Sequence, residues 1–567
     1  MKLRLPKSLM LGISAITIIG TAGADTTDPL PFYSVIDDIV APGKEEIFGC
    51  DDVEKDAKFV AKDGEGTFKY TGTGSICASI YAREGEFQIG DASQTTKVEI
   101  TASAPNPSLG AVVYGYGVSV GGINAVIRLN NATVTSGSGS TIVGGQNGNG
   151  ALIIENGSTY NAGGSEVFVI GDSHYSCATT KTEGSTIPPT AANWSEQMYK
   201  GSYSPAKNLS DAEFGRGDVT VSGGSKLFTP RSFYMSEGSL SINNSEVRVG
   251  NSTNGLTALM GLAENSTSEI NVTNGGKLEI QADKIQTNNA DNTKTVITVD
   301  GAGSELTVGK ANTAWFGDHE QLAISNTSTS LKITGGAIAN FDTNYVSFGS
   351  KNAANENVKV DVTIGASSKM DVGGYLYLRE GAVLENAGTL SIDEAACLYA
   401  QGTADIINSG TIDGYTYLSG NNTFTAMGGS EMGMVMVNGS STLTIAGLVT
   451  MREALWIDGE GSVVFTLGSS LDMTGHKVDG NMNFILDVSA KGVTDLDSLV
   501  LTRELFTNYD ETMSGFSDDT VITVKLAGGK TETTTIGALQ VIPEPATATL
   551  SLMALCALAA RRRRAVR

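Results

Sequence analysis

What constrains this 567-residue chain most is a recurring segment: a short strand, a glycine corner and a second short strand. The clearest copies are VTVSGGSKL (219–227), INVTNGGKLEI (270–280) and LKITGGAI (331–338), and ITVDGAGSELTV (297–308) and VTIGASSKMDV (362–372) are looser ones. In each, alternate residues are aliphatic on both sides of the corner, so one face of two short strands points inward and the other is polar. Such a unit cannot bury its apolar face alone, and stacking on the next unit supplies the cover.

Two further patterns recur. YAREG (81–85), YMSEG (234–238), YLREG (377–381) and TMREA (450–454) each lead into aliphatic residues, and an apolar residue followed by glycine closes many segments, as at Ile89-Gly90, Val143-Gly144, Ile170-Gly171, Val249-Gly250, Val308-Gly309, Phe316-Gly317 and Phe348-Gly349. LENAGTL (384–390) and IINSGTI (406–412) repeat after 22 residues, Asn386 to Asn408, so one turn of chain takes roughly 20 to 30 residues. The expectation is an all-β fold: a β-solenoid, in its right-handed parallel β-helix form, over residues 64–480. Asn-Gly also signals hairpins, which would build a sandwich or a propeller, but blades need a steadier spacing of about 40 to 50 residues. Residues 25–63, acidic and non-repetitive, read as an N-terminal cap, and residues 481–540, where the glycine corners fade, as a C-terminal cap.

Both ends carry targeting patterns. Lys2, Arg4 and Lys7 precede an apolar stretch over residues 9–20 and the small-residue site Ala22-Gly23-Ala24, the order of a secretory signal peptide over residues 1–24. At the other end, residues 541–567 hold Pro543-Glu544-Pro545, an uncharged run over 546–560, and the block Arg561, Arg562, Arg563 and Arg564. As a helix, that run of 15 residues is about 22 Å long, a marginal span of a hydrocarbon core of about 30 Å. The arginines would hold its end in the cytoplasm as a membrane stop-transfer. Tripeptide, apolar transmembrane helix and terminal arginines together resemble the PEP-CTERM sorting signal of exported bacterial proteins. The resemblance implies that an exosortase recognises Pro543, Glu544 and Pro545 and removes the helix and the basic end, after transient anchoring in the inner membrane. Signal peptidase is the second processing partner.

The repeats over 64–480 resemble the passenger domains of autotransporters, which build long β-helices. No C-terminal translocator barrel is expected, since the end of the chain lacks a series of alternating ten-residue strands.

Composition narrows the function. Setting aside three basic residues in the signal and five in the tail leaves about −31 for residues 25–560, against −23 for the whole chain. A body this acidic repels nucleic acid and anionic lipid. The cysteines form no C-x-x-C pair. Cys50 and Cys77 fall in one N-terminal region of an exported chain and are expected to form a disulfide, whereas Cys397, within AACL, reads as a small buried hydrophobe.

Catalytic groups are thin. The histidines are His174, His319 and His476, and the first two follow a glycine and an aspartate, Asp172 and Asp318, a context read as a repeated polar turn. No stretch matches the Gly-Gly-x-Gly-x-Asp calcium repeat, and neither cofactor nor metal is expected. The longest interruption of the repeat, residues 172–217, contains His174, Tyr175, Trp194, Tyr199 and Tyr203 and is the candidate surface for a glycan or protein ligand. At its end Arg216-Gly217-Asp218 matches the integrin-recognition tripeptide, but Asp218 leads straight into the strand from Val219. The chain is thus expected to be a non-enzymatic exported protein with a structural or adhesive role at the cell surface, outer membrane or extracellular matrix. A secreted lyase or glycosidase on a β-helix scaffold is the alternative.

Overall fold

The computed structural model describes strand segments between residues 34 and 82 and most of residues 85–541, excluding 94, 101–117, 121–124, 137–140, 145–148, 163–167, 172–215, 231, 252–255, 310–312, 318–323, 352–355 and 540. Among the described residues the chain is all-β apart from three short 3-10 turns, and no helix is long and apolar enough to cross a membrane. The expected signal peptide and sorting helix lie outside the described residues. The chain divides into two compact units, residues 1–398 and 399–567.

In the first unit a complete coil contributes one strand to each of three parallel sheets, and strands pair in register with their counterparts on the next coil of that unit. One coil shows the order: Thr267–Thr273 lies on the first face, Lys277–Gln281 on the second and Lys284–Gln286 on the third, before Lys294–Asp300 pairs back onto Thr267–Thr273. Long parallel sheets built this way are consistent with a β-solenoid. Parallel pairing reaches back to Ser34–Val35 and Glu45–Phe48.

The repeats seen in sequence are the first face, a corner and the second face. Their aliphatic residues form columns that run from coil to coil. One passes through Phe87, Ile127, Leu152, Val219, Leu240, Ile270, Ile297, Leu331, Val362 and Leu384, all buried. Neighbouring coils stand about 4.8 Å apart, so each side chain is covered above and below by its own column. Full burial of one such side chain contributes about 1.5 to 3 kcal/mol.

The corner between first and second faces opens in the same way in seven coils. The residue after the first-face strand has positive φ throughout: Asn131, Asn156, Gly223, Asn244, Asn274, Gly301 and Gly335. Only glycine and asparagine enter the left-handed region at low cost, which is why one or the other stands here in each coil. The same Asn-Gly signal that marks hairpins therefore marks a corner, at which the chain passes to the next sheet instead of returning along its own strand. Behind the corner, buried serine hydroxyls accept backbone N–H groups of the preceding coil: Ala132 donates to Ser158 Oγ at 3.0 Å, Ser158 to Ser225 at 3.1 Å, and Ser225 to Ser245 at 3.1 Å.

The closing apolar-Gly step proves not to be one corner. Gly90 follows a first-face strand, Gly250 ends a second-face strand, and Gly144, Gly171, Gly317 and Gly349 follow third-face strands. YMSEG and YLREG turn from third face to first, whereas TMREA turns from second to third. At Gly238 successive coils approach closely: with φ of 144°, an added Cβ would lie 1.8 Å from the carbonyl oxygen of Gly217.

The second unit uses shorter coils. Its inner column passes through Ile406, Phe424, Leu443, Val463 and Phe484, so successive coils take 18, 19, 20 and 21 residues. In the first unit the step from Ile297 to Leu331 takes 34. Asn422, buried, ties several coils together: its Nδ2 donates to the carbonyls of Ala400 and Ser419, and its Oδ1 accepts the N–H of Ala404. Asn386 in the first unit and Asn408 in the second, the repeated asparagines, are buried too, each accepting a glycine N–H two residues on at 3.2 Å. After Phe484–Asp487 the parallel ladder gains Val521–Lys525 and ends on the antiparallel strand Thr531–Thr535. Phe506 packs there against Phe465 and Phe484, both with centroids 5.0 Å away, and against Phe516 at 4.7 Å.

Gly238→Ala is expected to lower the urea midpoint by an amount equivalent to about 2 kcal/mol or more, because backbone must move to admit the methyl. Gly224→Ala, also at positive φ but with open space around the added Cβ, should cost about 1 kcal/mol. Equal effects of the two substitutions would contradict the close approach of successive coils.

Candidate functional site

With the interior filled by aliphatic columns, chemistry is left to the outward side chains, and these form columns of their own. On the second face of the first unit one outward column reads Lys226, Glu246, Lys277, Glu305 on successive coils. Lys226 pairs with Glu246 at 3.2 Å and Lys277 with Glu305 at 3.5 Å, while in the next column Arg248 Nε meets Glu279 at 2.6 Å. Elsewhere Arg128 bridges Glu86 at 2.7 Å and Glu155 at 3.0 Å, its guanidinium held above its ordinary pKa chiefly by the hydrogen bond to Glu86. In the second unit Arg452 pairs with Glu431 one coil away. Each of these ionic side chains is thus engaged by a neighbouring coil. Among the described residues no group of three or more His, Cys, Asp and Glu is arranged to hold a metal ion.

The third face carries aromatic side chains outward in both units. In the first, Trp315, covered by its neighbours and buried, lies 6.4 Å from Tyr345, Tyr345 meets Tyr377 edge-on at 5.9 Å, and Tyr375 stands beside Tyr377 at 6.2 Å. Cations cap this cluster: Lys284 Nζ sits 5.1 Å from the Trp315 ring and the Arg379 guanidinium 4.8 Å from that of Tyr377. In the second unit the column Tyr417, Met436, Trp456 continues from Tyr399, whose ring is 4.8 Å from that of Tyr417. These four side chains are half-buried, and Tyr415 flanks Tyr417 at 6.4 Å. The Tyr415 hydroxyl donates to Met436 Sδ at 3.1 Å, and Asn438 Nδ2 donates to the Tyr417 hydroxyl at 2.8 Å.

The aromatic loop expected from sequence is not among these residues. Its loop over 172–217 falls outside the described residues except for Arg216 and Gly217, and so do Asp172, His174, Asp318 and His319. Cys50, Cys77, Pro543, Glu544, Pro545 and the arginines Arg561 to Arg564 also lie outside. His476 stands in a surface turn, its N–H bonded to Met473 and its carbonyl to Asp510. The outward aromatics did leave a signal in the strings GYLYL (374–378) and GYTYL (414–418), where two tyrosines two residues apart share a strand face.

The Arg-Gly-Asp tripeptide is folded into the first face. Gly217 opens the strand Gly217–Ser222, Arg216 forks onto both Asp218 oxygens at 3.2 Å, and Ser239 Oγ donates to Asp218 at 2.6 Å. Arg216 also reaches Glu237 at 3.1 Å, and the bond to Asp218 is the main cause of its raised pKa. Both charges of the tripeptide are thereby satisfied within the protein.

Cys397 is buried and free, and burial pushes its thiol pKa up, away from the reactive thiolate. Iodoacetamide at neutral pH is expected to leave the Cys397 peptide unmodified in the folded protein and to label it after denaturation, as read by mass spectrometry. The alternating column generates a second expectation. Lys277→Glu would set three acids in a row from Glu246 to Glu305 and lower the unfolding midpoint by an amount equivalent to about 0.5 to 1 kcal/mol at low salt. Added sodium chloride should shrink that loss, and adding Glu305→Lys should reverse part of it. Comparison with protein-family models, curated proteins and solved structures finds no match to this chain.

Proposed function

We propose that the chain is an exported, exosortase-processed protein whose right-handed β-solenoid serves a structural or adhesive role at the cell surface or in the extracellular matrix. The observation that carries this reading is how the outward side chains are used: charged groups pair from coil to coil along the stack instead of converging in one groove, and the third faces offer extended aromatic surface. A catalytic site needs several reactive groups aimed at one point. A scaffold needs length, regularity and an outer surface, and these are what the repeats supply. The right hand follows the strong preference of parallel crossover connections. Export rests on the two terminal patterns in the sequence, the signal over residues 1–24 and the PEP-CTERM-like tail over 541–567, with exosortase and signal peptidase as processing partners.

Intact-mass analysis of protein released from the surface of the native host tests the reading. The expected species begins near Asp25 and ends at about Pro545. Recovery of peptides from residues 550–560 in the surface-exposed form would remove the sorting step, and absence of the protein from the cell surface would remove the surface role.

A further inference from the structure

We propose that the outward stripe Tyr399, Tyr417, Met436 and Trp456 of the second unit binds a neutral hexose polysaccharide laid along the stack; this ligand assignment rests on the surface role proposed above. The stripe presents one aromatic or thioether side chain per coil on successive coils. Three coil steps make it about 14 Å long. A surface that repeats at a constant interval is complemented by a ligand that also repeats, and an extended polysaccharide does so along its length.

The chemistry of the stripe suits sugar rings. Tyrosine and tryptophan offer apolar faces to the C–H faces of a pyranose while keeping polar edges. Polar groups stand along it: the Tyr415 and Tyr417 hydroxyls, the Asn438 amide and, over the Trp456 ring, Lys477, whose Nζ lies 4.9 Å from that ring and 3.3 Å from Asp479. The Lys477–Asp479 pair cancels its own charge, so the stripe is neutral within a chain of net charge −23. Anionic polymers are repelled by such a body, which selects neutral sugars over acidic ones. The aromatic cluster of the first unit carries two cations over its rings, Lys284 and Arg379, where the stripe carries one, Lys477, paired with Asp479.

Affinity electrophoresis of the full processed chain tests this, with hydroxyethyl cellulose, a galactomannan or alginate cast in the gel. Retardation by at least one of the neutral polymers, and none by alginate, is expected. Tyr417→Ala and Trp456→Ala should each weaken that retardation at least tenfold, while Tyr377→Ala in the first unit leaves it unchanged. Tyr417→Phe and Trp456→Phe keep the ring and are expected to retain most of the binding, so loss confined to the alanine variants is loss of the aromatic surface. If an alanine variant does not fold, the phenylalanine variants and the wild-type comparison of polymers decide. No retardation of the wild type by either neutral polymer overturns the proposal, as does retardation that survives both alanine substitutions. Sedimentation in the absence of polymer adds a further outcome: self-association abolished by the stripe variants, without polysaccharide binding, would assign the stripe to a second copy of this chain and overturn the proposal. A chain exposed on intact cells that binds no neutral polymer loses this ligand and keeps its surface role, whereas a chain that is not exported loses the surface role whatever it binds.

Discussion

The structure depends on in-register stacking of each coil on the next. A single coil has short strands and an apolar stripe with nothing to cover it, and it is the neighbouring coil that both buries the stripe and accepts the backbone hydrogen bonds. The column from Phe87 to Leu384 shows the result: a leucine, isoleucine, valine or phenylalanine at the same register position in coil after coil, all removed from water. Stability in such an array is a sum of local terms between neighbours. Coil length can then vary from 18 residues between Ile406 and Phe424 to 67 between Leu152 and Val219, because insertions leave at the corners and the register of the sheets is kept.

Inward positions were therefore legible in the sequence, and outward ones largely were not. VTVSGGSKL and its relatives display the period-two alternation that burial on one side imposes, and the left-handed corner accepts so few residue types that Asn or Gly recurs there. Less could be read where one local signal serves several corners. An apolar residue before glycine closes strands on all three faces, and TMREA, for all its likeness to YMSEG, turns at a different corner. The aromatic third faces were hidden for another reason. Outward positions answer to little packing constraint, so Tyr345, Tyr415 and Trp456 come at irregular intervals, and only the register of the sheets gathers them.

Two sets of forces thus act on opposite sides of the same strands. Inside, columns of like residues suffice, because dispersion and the hydrophobic effect have no sign. Outside, aromatic side chains can also succeed one another, as Tyr399 and Tyr417 do, but charges cannot, since like charges at strand spacing repel. The second face accordingly alternates, Lys226 with Glu246 and Lys277 with Glu305.

That alternation gives the stack of coils a parity. Deleting one coil between Lys226 and Lys277 would bring lysine against lysine, and deleting the coil of Lys277 would bring Glu246 against Glu305. Deleting two adjacent coils restores opposite signs. The inner columns tolerate the gain or loss of any whole coil, so over this stretch it is the outer column of charge that favours growth or shrinkage of the repeat by even steps.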